Sequence, residues 1–177
     1  MESSPSLPKP SHRHETIEDV ARRYEEAIGR RAPATPEPYI ELALAYFLGT
    51  EGSNIARHRP SPDFLDRAWR RVMEVLDEAA KRFGSHTEVM FWRLYLPWIR
   101  LGGTPIDETC RALASRGDSL LPYLHLFMVE PTDENRGKAL LLYRTAHGRR
   151  LPTQRYIRGA LEGLFGDRPT SARRPHK

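Results

Sequence analysis

Two arginines on an otherwise apolar stretch are the residues of this chain whose types and spacing best suit ligand binding. Arg93 and Arg100 lie seven residues apart, which places them on one strip of a helix. A guanidinium on such a helix must reach solvent, pair with an acid or line a groove. We predict that Arg93, Pro97, Trp98 and Arg100 contact a binding partner. The candidate acids for the alternative, a structural ion pair, follow nearby in sequence: Asp107, Glu108 and Glu130.

His125 and Cys110 are the other residues with chemical potential. His125 is the one strongly polar side chain between positions 123 and 129, and a buried imidazole needs a hydrogen-bond partner. It is either a satisfied core histidine or a residue that faces a ligand, so we include it among the candidate partner-binding residues. Cys110 shares a helix face with Ile106 and Leu113, which favours a small core residue over a nucleophile.

Motifs that carry catalytic or metal chemistry are missing from the sequence. It contains no phosphate-binding glycine loop, no metal-ligand spacing and no nucleophile elbow. We therefore predict no catalytic residue, no metal and no cofactor, and a binding protein in preference to an enzyme.

The net charge of +5 suggests a nucleic-acid partner until the charges are located. Residues 1–13 carry +1 and residues 167–177 carry +3, which leaves only +1 for the body between them. A folded nucleic-acid reader usually concentrates its charge on one face, so the basic balance is weak support for such a function. The candidate phosphate contacts lie in a linker and in the tail: Arg57, His58, Arg59, Arg173 and Arg174.

Prolines and glycines bracket the stretches that have helical periodicity. Proline suits the first turn of a helix, and glycine suits the position just after its end. The pattern predicts an all-α protein of about eight short antiparallel helices, stacked as helical hairpins in an α-solenoid-like array or bundle. We expect a disordered leader at 1–13, one helical domain at 14–166 and a disordered basic tail at 167–177. The predicted helices cover about 15–31, 36–48, 62–83, 89–101, 105–115, 120–129, 133–147 and 152–165.

Three details of this scheme bear on function. The segment 49–60 is predicted to be a linker, long for a helical bundle and therefore mobile or a contact loop. The helix at 89–101 is apolar nearly all round, so we expect it to be the buried centre, with a kink at Pro97. Ser85 and Glu88 have the spacing of a capping box at its start.

Within this scheme, some helices carry an aromatic pair followed by a small residue on the next helix. Trp92-x-x-Tyr95, then Leu101-Gly102, then Ala112-Leu113 resembles the tetratricopeptide superfamily, particularly its half-a-tetratricopeptide branch. The resemblance covers two degenerate units in about 80 residues. It implies a concave surface that binds a peptide or a partner helix, in a scaffold or chaperone, and the half-a-tetratricopeptide branch is associated with RNA-processing assemblies. A second set of residues resembles the same pattern: Leu42, Ala43, Tyr46, Gly49, Ala68, Ala79 and Ala80.

Three functions stay open, and the first is the leading hypothesis: a non-catalytic protein–protein interaction or scaffold module. The second is a nucleic-acid-associated helical protein that uses its tails and the 50–60 loop, and the third is a small helical enzyme that uses His125.

One cysteine favours a reducing compartment, and no apolar run is long enough for a membrane span, so we expect a cytoplasmic protein without a membrane partner. A homodimer that seals the apolar helix at 120–129 is compatible with all three.

Overall fold

The structure is a computed structural model that describes residues 15–146 and 151–166. These residues form an all-α fold, as predicted, and contain nine helices and no strand. The predicted leader and tail lie outside the described residues. The helices are α1 (Ile17–Arg30), α2 (Glu37–Gly49), α3 (Gly52–His58), α4 (Pro62–Phe83), α5 (Thr87–Leu101), α6 (Asp107–Ala114), α7 (Pro122–Val129), α8 (Asp133–Ala146) and α9 (Pro152–Gly166).

The proline and glycine signals set several helix ends as predicted. At the start of α4, Pro62 occupies the first turn, and the Ser61 hydroxyl accepts a hydrogen bond from the Phe64 N–H at 3.2 Å. At its end, Gly84 has φ +53°, a backbone conformation that glycine adopts without strain. Gly102 ends α5 in the same way, with φ +69°.

The segment predicted as a linker contains α3. This helix has only two turns, and Ile55 is its one large apolar residue, so no periodicity could reveal it. Arg57 and His58 lie in its last turn, where positive charge is favourable to the helix dipole. Arg59 ends it in the left-handed region with φ +44°. The connection between α2 and α4 is therefore an ordered helical element.

The central buried helix is α2, and the expectation that 89–101 holds this place is wrong. Every residue from Tyr39 to Gly49 is buried, because α1, α4 and α9 cover α2 and α3 and α5 add further contacts. By contrast, α5 exposes Arg93, Ile99, Arg100 and Leu101. It runs without interruption across Pro97.

The packing of α9 against α2 joins distant parts of the chain. Tyr156 on α9 makes edge contacts with Phe47 on α2 at 5.6 Å and with Trp92 on α5 at 5.7 Å between ring centroids. The hydroxyl of Tyr156 also lies 3.3 Å from the Tyr95 hydroxyl. Aromatic pairs of this kind add to the stabilisation from burial. Helix α9 therefore packs against both α2 and α5.

The apolar helix α7 is covered within one chain. It contacts α6, α8 and α9, and His125, Leu126 and Phe127 are buried there. Within one chain these neighbours cover most of the surface expected to seal a homodimer, while Tyr123 and Met128 are half-buried and Val129 is exposed. In the part of the chain that the structure describes, no helix combines the length and the apolar character needed to cross a bilayer.

Candidate functional site

The two arginines that the sequence singled out lie on the surface and have partners there. The guanidinium of Arg93 donates from Nε to Asp77 Oδ1 at 2.7 Å, an acid on α4 and none of those considered from the sequence. Arg100 stacks over the Trp69 ring at 4.9 Å and donates to the Thr50 hydroxyl at 3.0 Å. Both side chains therefore connect α5 to neighbouring elements.

The remaining residues of that predicted set lie close to one another. Pro97 and Trp98 are half-buried, and the Trp98 ring lies edge-on to the His125 ring at 4.6 Å. His125 is completely buried, with Nε2 at 2.6 Å from Asp107 Oδ1. Its Nδ1 has no hydrogen-bond partner among the described residues. This geometry matches a core histidine held by one acid.

Cys110 is buried, as expected for a core residue. Burial, and then the charge of Asp107, raise the pKa of its thiol to about 12. The thiolate is the nucleophilic form of cysteine, so a protonated Cys110 is inert at neutral pH.

The candidate phosphate contacts of the predicted linker lie on and just after α3. Arg57 and Arg59 are exposed, whereas His58 is half-buried. The pKa of His58 is lowered by burial and then by the charges of Arg57 and Arg155. Helix α9 thus brings one more arginine to this basic group. The tail residues Arg173 and Arg174 lie outside the described residues.

One feature of the surface was not predicted from the sequence. It is a partly open cleft of about 440 Å³ between α2, α5, α8, the start of α9 and the segment that precedes α7. Four carboxylates line it, and we call it the acidic cleft: Glu37 and Glu41 on α2, Glu88 on α5 and Asp118. Its volume lies in the range of sites that hold small molecules or side chains.

Glu41 is the buried carboxylate of the acidic cleft, with 4% of the residue exposed. It accepts a hydrogen bond from the Thr153 N–H at 3.0 Å and another from the Thr153 hydroxyl. Because Thr153 lies in the first turn of α9, the carboxylate satisfies a free donor of that helix and favours its dipole. Burial nevertheless raises the pKa of Glu41 to about 7, and the charges of Glu88 and Glu37 act in the same direction.

Glu88 belongs to the acidic cleft and not to a capping box. His86 is the N-cap residue of α5, and no side chain caps this end. The Glu88 carboxylate instead accepts a hydrogen bond from the Ser119 hydroxyl at 3.3 Å. Burial raises the pKa of Glu88, with smaller contributions from Glu37 and Asp118 in the same direction. Two carboxylates of the cleft therefore bind protons more readily than exposed ones do.

The other two carboxylates lie at the rim. Asp118 is exposed and accepts a hydrogen bond from the Thr87 hydroxyl at 3.0 Å. Glu37 is exposed and has neither a hydrogen bond nor an ion pair among the described residues.

The walls of the acidic cleft are apolar and hold two polar atoms without partners. Trp92 is completely buried and lines the cleft, and its indole Nε1–H has no acceptor among the described residues. The Gln154 Oε1, on another wall, is likewise without a donor there. Buried polar atoms are nearly always paired, so such atoms beside a cleft suit a ligand that pairs with them. The apolar walls are formed by Ile40, Leu120, Leu121, Leu142, Ala146, Leu151 and Ile157.

This arrangement favours the binding of an organic cation. Among the described residues, no Lys, Arg or His lines the cleft. No group of three or more His, Cys, Asp or Glu side chains in that part of the chain is arranged to hold a metal ion. An ammonium or guanidinium group on an aliphatic stem matches both the carboxylates and the apolar walls.

The structure brings together few of the residues predicted from sequence. Trp98 and His125 meet, but neither they nor Arg93, Pro97 and Arg100 line the acidic cleft. One signal could have found the cleft: Glu41 is the only charged residue between positions 39 and 49. The other three carboxylates have no such signal, because Glu37 and Glu88 lie in the first turn of a helix, where acids are common, and Asp118 lies in the loop between α6 and α7.

No protein-family model, no curated protein and no solved structure matches this chain.

Proposed function

We propose that this protein is a non-catalytic interaction module that takes a segment of another protein into the acidic cleft. The observation that carries the proposal is the cleft itself, about 440 Å³ in volume and lined by apolar walls, carboxylates and two unpartnered polar atoms. Sites of this kind hold a ligand through apolar contact and use a few polar groups to orient it. The strip formed by Arg93 and Arg100 offers less, because both guanidinium groups already have partners.

The hairpin arrangement is part of the proposal. Successive helices contact each other from α6 to α9, and α1 contacts α2, as hairpins would. The additional contact between α2 and α9 brings the two ends of the array together and forms one wall of the cleft. We propose that the array is of the tetratricopeptide-like kind and serves as a scaffold in the cytoplasm. The family, the compartment and the partner's identity stay predictions.

A peptide library displayed on phage and selected against the immobilised full chain tests this function. Thr145 lines the cleft but is exposed, so a Thr145→Trp variant would fill the entrance at little cost to folding. The matched control is Thr109→Trp on the exposed face of α6, outside the cleft. Selected peptides should lose about tenfold or more in affinity for Thr145→Trp and should bind Thr109→Trp as they bind the wild type. Peptides that bind all three proteins equally would refute the proposal.

Nucleic-acid binding is the second candidate function, and the basic group at α3 favours it. Arg57 and Arg59 are exposed, and Arg155 adds its charge from α9. Phosphate contacts depend on such charges and weaken with salt. Binding of mixed-sequence RNA by the full chain should weaken in an Arg57→Glu, Arg155→Glu double variant. A control variant with Arg93→Glu should bind as the wild type does. No binding to RNA at low salt would remove this candidate.

A further inference from the structure

We infer that the acidic cleft selects a lysine or arginine side chain of the partner segment, and that the ammonium or guanidinium group lies in the combined field of Glu37, Glu41, Glu88 and Asp118. This inference rests on the proposed function and names the chemistry of its ligand. It depends on the juxtaposition of four carboxylates around one cavity whose described lining includes no basic side chain.

The carboxylates repel one another, and a cation relieves that repulsion. The charges of Glu37 and Glu88 act on Glu41, and those of Glu37 and Asp118 act on Glu88. Nearby opposite charge comes from His86, which faces Glu88. Charges of one sign that are held in a concave, partly apolar site focus their field and attract a group of the opposite sign. The cleft is therefore complementary to one positive side chain.

The lone pairs of the carboxylates remain available for this side chain. Thr153 donates to both oxygens of Glu41, but each carboxylate oxygen can accept a second hydrogen bond. Glu37 has no partner among the described residues and is free to turn toward the cleft.

The Trp92 indole distinguishes a peptide from a free amine. Its Nε1–H is a donor without an acceptor among the described residues, on a side chain that is completely buried and lines the cleft. A peptide supplies a carbonyl oxygen beside its basic side chain, whereas an alkylamine supplies no acceptor at all. The Nε1 atom is covered in the unbound protein, so the wall of the cleft must move for a carbonyl oxygen to reach it. A lysine or arginine residue within a chain then satisfies both the carboxylates and the indole.

Ionisation of Glu41 makes this recognition dependent on pH. With a pKa of about 7, Glu41 gains its charge as the pH rises from 6 to 8. Three titratable groups face it from the elements packed around it: Glu37 on its own helix, Glu88 on α5 and Tyr24 on α1. Loss of the proton from Glu41 makes the cleft more negative. Affinity for a cationic side chain should therefore rise over this interval.

Titration of the full chain with three small probes tests the inference. The probes are the acetylated and amidated tripeptide alanyl-lysyl-alanine, the same tripeptide with norleucine for lysine, and n-butylamine. Norleucine lacks only the ammonium group, and butylamine lacks only the peptide. Binding is followed at pH 8 through the indole N–H signals of the three tryptophans, and a Trp92→Phe variant assigns the signal of Trp92. The lysine peptide should shift the Trp92 signal and bind about tenfold more tightly than either other probe.

Charge-removing variants locate the cation. Glu37→Gln, at an exposed residue without partners among those described, should weaken binding of the lysine peptide by about two- to fivefold. Glu88→Gln should weaken it further, because this carboxylate is more buried. The control is Glu108→Gln on the exposed face of α6, which should leave the affinity unchanged.

The outcomes separate this inference from the proposed function. If the norleucine peptide binds in the cleft as tightly as the lysine peptide, the function survives and selection of a cation is refuted. If butylamine binds as tightly, or if Glu37→Gln and Glu88→Gln both bind as the wild type does, the inference also fails. If none of the probes shifts the Trp92 signal and library peptides ignore Thr145→Trp, the proposed function fails as well.

Discussion

Glu41 serves both the stability of the fold and the charge of the acidic cleft. Its carboxylate holds the first turn of α9 through Thr153, yet it lies in an environment that disfavours its ionisation. A buried carboxylate with a pKa near neutral is unusual for a purely structural cap and typical of functional sites. At this single residue, a structural contact and a binding property depend on the same proton.

Replacement of Glu41 should change how stability depends on pH. The folded-state pKa of about 7 exceeds the ordinary 4.5, so between these values the folded state holds a proton that the unfolded state loses. The wild-type free energy of unfolding should therefore fall by about 3 kcal/mol as the pH rises from 4.5 to 7, and then level off. Glu41→Gln should lack this component. Urea denaturation of both proteins at pH 5 and pH 8 measures the difference, and parallel pH profiles would contradict it.

The environment of a residue could be predicted from the sequence where its neighbours lie one helical turn away. It could not be predicted where its partners are distant in sequence. Cys110 could be assigned to the core because its neighbours one turn away are apolar. Arg93 could not be paired with Asp77, because the packing of α4 against α5 sets that contact. Glu88 has the spacing of a capping-box residue, but in the structure its carboxylate accepts a hydrogen bond from the distant Ser119 hydroxyl instead.

At the scale of elements, α2 and α4 approach each other closely at Gly49. Gly49 ends α2 against the Phe64 ring of α4, and an added Cβ at Gly49 would lie 2.5 Å from Phe64 Cε1. That ring also stacks on Tyr46 at 5.0 Å between centroids. Glycine is needed here for close approach and not for its backbone freedom.

Substitution of two glycines should have effects of opposite sign. Gly49→Ala should destabilise the protein by about 1–3 kcal/mol, because the methyl group must displace Phe64. Gly159→Ala, within α9 and facing open space, should stabilise it by about 0.5–1 kcal/mol, because alanine favours a helix interior. Thermal or urea unfolding of each variant gives the values. Equal effects at the two positions would contradict this account of the α2–α4 contact.

The elements themselves could mostly be predicted because their ends carry local chemistry. Pro62 and Gly84 bracket α4 in the structure as in the sequence. The role of α2 was missed although the sequence carries its signal: residues 39–49 contain one charged residue, Glu41, whereas 89–101 contain both Arg93 and Arg100. Helix α3 was missed because it is too short to show a period.

At the scale of the whole molecule, α9 determines whether the helices form an open row or a closed unit. Its contacts with α2 join residues more than a hundred positions apart, as between Glu41 and Thr153. The same contacts form one wall of the acidic cleft. Removal of α9 should therefore abolish both the cleft and the cooperative fold.

A chain that ends at Ala146 tests this dependence. Full burial of a large apolar side chain contributes about 1.5–3 kcal/mol, and a domain of this size has only about 5–15 kcal/mol in total. Loss of the buried residues of α9 should leave a chain without a cooperative thermal transition. A chain that ends at Gly166 keeps α9 and is the control. If the shorter chain melts cooperatively, α9 is a dispensable end unit, as in an open solenoid. The buried residues of α9 that the shorter chain lacks are Pro152, Tyr156, Ile157 and Leu161.

The most direct test of the central claim is a map of the surface that a bound peptide touches. Backbone and indole N–H signals of the full chain are recorded while the tightest library-selected peptide is added. The account predicts that the largest changes fall around the acidic cleft, at Glu37, Glu88, Trp92, Ser119 and Thr145. Changes centred on Arg93 and Arg100, or on Arg57 and Arg59, with the cleft signals unmoved, would contradict it.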